Sequence, residues 1–64
     1  MNKNEILKTV IDSLMKQRAD LNYELIGLNH NESTFNERKM TLEFAISNID
    51  MQVSNRVMEL ELQK

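Results

Sequence analysis

The stretch Gly27-Leu28-Asn29-His30-Asn31-Glu32-Ser33-Thr34-Phe35-Asn36-Glu37 decides the shape of this chain. It holds the only glycine, and there is no proline anywhere. The residues on both sides read as helix. If the stretch turns, the chain is a hairpin about half as long as the extended alternative. If it does not, one helical rod runs from end to end.

Gly27 is suited to end a helix. Glycine enters the left-handed conformation beyond a last helical turn without steric cost, and Leu28 can then fold back onto Tyr23 in a Schellman-type contact. Asn29, His30 and Asn31 are weak helix formers with turn-compatible side chains. A new start follows. Thr34 with Glu37 three residues on has the spacing of a capping box, and Glu32 lies near the positive end of the helix that follows. The first helix therefore stops near Ile26 and the second begins near Phe35, with a turn over about 27–34.

Working back from the turn, Leu28, Leu25, Leu21, Leu14, Ile11, Val10 and Leu7 fall on one stripe at ~100° per residue. Leu7, Leu14, Leu21 and Leu28 are spaced by seven, like the d positions of a heptad, and the matching a positions are Asn4, Ile11, Arg18 and Leu25. Arg18 interrupts the seam. It either pairs with a carboxylate and sets register, or snorkels to solvent as long cationic side chains commonly do. The helix opens with Asn2 as cap and Glu5 in the capping-box position.

Working forward, the second helix runs from about Phe35 to about Leu62, on the order of 40 Å. One apolar stripe is Phe35, Leu42, Ile46, Ile49, Val53, Val57 and Leu60, with Ala45 beside it. A second set, Met40, Phe44, Met51, Met58 and Leu62, projects roughly opposite. A surface helix normally has one apolar stripe; this one has two.

The seven-residue count also continues through the turn, from Leu28 to Phe35, Leu42 and Ile49, as a single parallel coiled coil would require. Against the rod, the central a positions are Glu32 and Lys39, and Gly27 costs ~1 kcal/mol inside a helix. Phase agreement across an unrelated loop arises by chance about one time in seven. Two helix-boundary signals converge on one spot. The expectation is an all-α antiparallel hairpin forming one domain over 1–64, with helices at about 3–26 and 35–62. Its predicted core is Leu7, Ile11, Leu14, Leu21 and Leu25 against Leu42, Ile46, Ile49, Val53 and Leu60.

Composition narrows the function. A chain of 64 residues buries only about 60% of its unfolded surface, so small folds usually add disulfides, a metal or a partner. There are no cysteines and one histidine, which argues against disulfides and structural zinc. Association remains, either with another protein or as two hairpins in a four-helix bundle. In a hairpin, the first helix covers one stripe of the second and leaves Met40, Phe44, Met51, Met58 and Leu62 as the predicted partner-binding face, methionine being an adaptable contact residue. Catalysis has little to work with: His30 sits in the turn, Ser33 and Thr34 read as caps, and no glycine-rich phosphate loop is present. No enzyme activity, metal or cofactor is expected. Eight Lys and Arg against ten Asp and Glu give no basic excess, and Lys8, Lys16, Arg18, Arg38 and Lys39 do not project as one stripe, which argues against nucleic acid. No apolar run reaches the ~18 residues of a membrane span, and the opening Met1-Asn2-Lys3-Asn4-Glu5 leads into an amphipathic pattern rather than a signal-peptide core. A cytoplasmic location fits.

The segment Asn36-Glu37-Arg38-Lys39-Met40-Thr41-Leu42-Glu43-Phe44-Ala45-Ile46-Ser47-Asn48-Ile49 resembles the second-helix segment of the small type III secretion co-chaperones of the YscE, PscE and EscE kind. Lys39, Leu42-Glu43 and Ala45-Ile46 carry most of the likeness, and the length, lack of cysteine and helix–turn–helix plan agree with it. The resemblance implies a cytoplasmic helical hairpin that stabilises a tetratricopeptide-like chaperone, the pair keeping a needle subunit soluble before export. Two other readings have the same architecture: a structural homo-oligomeric coiled coil, and a Rop-like RNA-binding dimer of helical hairpins, the latter similar in size and plan alone.

Overall fold

The computed structural model describes residues 2–62, which form two α-helices: α1, Lys3–Ile26, and α2, Phe35–Leu62. At ~1.5 Å per residue, α2 is ~42 Å long, and one uninterrupted helix would reach ~90 Å. The molecule measures 49 × 16 × 11 Å. The chain therefore reverses, α2 lies back along α1, and the rod is excluded.

α1 begins as its sequence requires. Asn2 is extended (φ −82°, ψ 169°) and its Oδ1 accepts the Glu5 N–H at 2.8 Å. The Asn2 carbonyl accepts the Ile6 N–H at 3.1 Å. One orphan donor of the first turn is thereby satisfied.

The end of α1 departs from expectation. Gly27 has φ −82° and ψ 1°, and no described residue has positive φ. The left-handed Schellman closure is absent. Gly27 donates to the Tyr23 carbonyl at 3.1 Å, and Leu28 to the Leu25 carbonyl at 3.3 Å, so the helix tightens into a final three-residue turn instead. The reason lies in burial. On this path Leu28 continues the α1 stripe into the core, whereas Tyr23 stays 82% exposed.

The reversal is built by asparagine. Asn29 Oδ1 accepts the Asn31 N–H at 2.9 Å, closing an Asx-turn. The Asn29 carbonyl accepts the Glu32 N–H, and the Glu32 carbonyl the Phe35 N–H, both at 3.1 Å. Thr34 starts α2 with its carbonyl, which accepts the Arg38 N–H at 3.0 Å. Its hydroxyl makes no hydrogen bond to Glu37 among the described residues, so the second capping box does not form. Glu32 takes the anionic role at this end and pairs with Arg38, Oε2 to Nη1, at 3.4 Å. The His30 ring tilts against Phe35 with centroids 4.4 Å apart, covering one side of the turn.

The core is a single seam. Leu7, Leu14 and Leu28 are buried against Leu42, Ile46 and Ile49. Ile11, Leu21 and Leu25, with Val53 and Leu60, are half-buried, as are Phe35 and Ala45. Val10 and Val57, at the stripe margins, are exposed. Arg18 is not left to solvent: its Nε lies 2.6 Å from Asp50 Oδ1, tying the middle of α1 to the middle of α2. Leu28 and Phe35 both reach the seam from opposite ends of the turn, which is why the seven-residue count passes through a reversal.

Two helices make a thin molecule. A compact chain of this length has a radius of gyration of ~11 Å; this one has 15.0 Å. Its accessible surface is 5157 Å² for 7.5 kDa, against ~4,250 Å² for a typical monomer of that mass.

Candidate functional site: the outer face of α2

α2 turns one stripe to α1 and the opposite one to water. Met40, Phe44, Met51, Met58 and Leu62 are between 60% and 85% exposed. They lie along one side of the helix over ~33 Å. Phe44, Met51 and Met58 are spaced by seven, with Ser47 and Ser54 three residues beyond the first two of them. The face is therefore ridged: a large side chain every second turn, a small hydroxyl in the gap. That relief suits knobs-into-holes packing against another helix.

The outer face of α1 is of a different kind. There Glu5, Thr9, Asp12, Lys16 and Asp20 are exposed and polar. The exposed apolar residues of α1, namely Ile6, Val10, Met15, Tyr23 and Ile26, project around more than half of its circumference rather than along one stripe. Scattered exposure of that sort is ordinary; a continuous apolar patch on a small domain marks a contact surface.

The charges of α2 are sorted by side. Arg38, Lys39 and Arg56, its basic residues, project on the half nearer α1, as does Asp50, while Glu37, Glu43, Glu59 and Glu61 flank the exposed stripe. Ion pairs cross this boundary: Lys39 to Glu43 at 3.8 Å and Arg56 to Glu59 at 2.8 Å; Arg18 of α1 meets Asp50 on the inner side at 2.6 Å. Glu37 and Glu61 have no such partner within 4 Å among the described residues. The apolar stripe therefore sits between acidic edges.

The cationic residues that bear on nucleic acid are largely engaged. Arg18, Arg38 and Lys39 each face a carboxylate, and Lys8 and Lys16 lie on α1. Near the turn, Glu24, Glu37, Arg38, Thr41 and Leu42 line a shallow open cleft, in which Arg38 is already held by Glu32. His30 faces Phe35. Among the described residues no group of three or more His, Asp or Glu is placed to hold a metal ion, and no helix is long and apolar enough to cross a membrane.

Leu28 is a core residue; the count of seven from Leu7, Leu14 and Leu21 put it on the stripe, although the predicted core stopped at Leu25. The one-sided distribution of acid on α2 was visible by projection and becomes meaningful only once the inner face is known. Comparison with family models, curated proteins and solved structures finds no match to this chain.

Proposed function

We propose that this chain is a non-enzymatic adaptor, a co-chaperone that docks through the outer face of α2 onto a helical-repeat chaperone of the tetratricopeptide kind. In this reading it acts in the cytoplasm, and the chaperone it stabilises holds a type III secretion needle subunit. The observation that carries the reading is the exposed stripe Met40, Phe44, Met51, Met58 and Leu62. Burying each such side chain stabilises by ~1.5–3 kcal/mol, a large term for a fold with so slight a core. A ligand that binds the folded hairpin stabilises it further by mass action. The resemblance of Asn36–Ile49 to the second helix of the needle co-chaperones names the class of partner.

The test is co-purification of the chain with its partner, comparing the natural sequence with the double substitution Phe44→Asp and Met51→Asp. Loss of two central apolar contacts should weaken binding at least ~100-fold. Helicity by circular dichroism should persist, because neither residue touches the seam. Unimpaired binding would remove this face from consideration.

The seven-residue spacing of Phe44, Met51 and Met58 favours a second reading, in which two copies pair through these stripes as a structural homo-oligomer. Sedimentation equilibrium separates the two, since self-pairing makes the natural chain a dimer and the double variant a monomer.

A further inference from the structure

We infer that the occupant of the α2 stripe is a concave apolar groove edged by lysine or arginine on another protein, and not a second copy of this chain; this rests on the docking face proposed above. Two independent observations carry it.

The first is charge. The stripe is bordered by Glu37, Glu43, Glu59 and Glu61, and the basic residues of α2 all project toward α1. Two copies pairing stripe to stripe would bring acid edge against acid edge in either orientation. Like charges placed across an interface disfavour it, whereas opposite charges at a rim select the partner and speed encounter. Lys39 and Arg56 offset Glu43 and Glu59 from the inner side, but Glu37 and Glu61 lack that support among the described residues.

The second is shape. The stripe is a convex ridge on one helix, with carboxylates on both sides of it. A single partner surface that reaches both edges at once is concave.

The experiment places a photo-crosslinking benzoylphenylalanine at residue 44 of the full chain in its source cells and maps the adduct by mass spectrometry. The expected adduct joins residue 44 to a different protein, within an apolar groove bordered by Lys or Arg. The variant Glu37→Gln, Glu43→Gln, Glu61→Gln should bind that purified protein about tenfold more weakly at low ionic strength, and the difference should vanish at high salt. If the triple variant binds as the natural chain does while Phe44→Asp with Met51→Asp does not, the docking face stands and the basic edge is overturned. An adduct to a second copy of the chain, or none at residue 44, overturns both.

Discussion

Arg18 and Asp50 show how little a close ion pair says about stability until exposure is taken into account. Their 2.6 Å contact is the one that crosses between the helices among the described residues, yet the side chains are 37% and 50% exposed. Exposed pairs are screened and contribute ~0.2–1 kcal/mol. A double-mutant cycle with Arg18→Ala and Asp50→Ala, followed by urea unfolding, should give a coupling of about 0.5 kcal/mol that shrinks in high salt. A coupling several times larger would mean that the pair is better desolvated than its exposure implies. The pair's more general effect is on register, because a slip of α2 along α1 would separate the two groups. The sequence marked Arg18 as an interruption of the seam but could not name its partner: Asp50 lies far along the chain, and only the reversal brings it near. Leu28 illustrates the converse. Its heptad spacing placed it in the seam, while the glycine before it suggested a local fold-back, and long-range burial outweighed the local motif.

At the scale of the helices, the element bounds were legible because they depend on short-range chemistry. Asn2 and Glu5 start α1, and the asparagines at 29 and 31 end the possibility of one rod. What the short range could not supply was the manner of the turn. Gly27 suggested a left-handed residue, but its φ is −82°, a conformation open to any amino acid. A Cβ there would meet the Tyr23 carbonyl oxygen at 3.5 Å and that of Glu24 at 3.7 Å, which is ordinary contact. Gly27→Ala should therefore be neutral or stabilising by up to about 1 kcal/mol, through a less flexible unfolded chain. A thermal melt checks this, and a marked loss of stability would show that the turn needs glycine after all. The reversal itself survives the substitution, because Asn29 and Glu32 supply its hydrogen bonds. α2 posed the harder problem. Its two opposite stripes were visible by projection, but which would face α1 depended on matching a whole helix. The branched residues Ile46, Ile49 and Val53 went inward and the methionines outward, in keeping with stiff side chains filling a fixed seam and flexible ones meeting a variable surface.

For the molecule as a whole, the hairpin and the rod differ most in length. Small-angle scattering from the free chain should give a radius of gyration close to 15.0 Å, whereas a ~90 Å helix would give on the order of 26 Å. A value near the larger figure would contradict the reversal at Asn29. The thinness of the molecule also has a consequence for its life in the cell. In the docking reading proposed above, α2 is the middle layer of three, with one neighbour supplied by its own chain and the other by the partner. Without that partner the seam opens at lower cost, and each opening offers an unfolded segment to proteases. Copies made in excess of the docking protein would be cleared, while copies in complex would persist. The exposed side of α2 would then act as a gauge of stoichiometry, holding the amount of one polypeptide to the amount of another without any dedicated regulator.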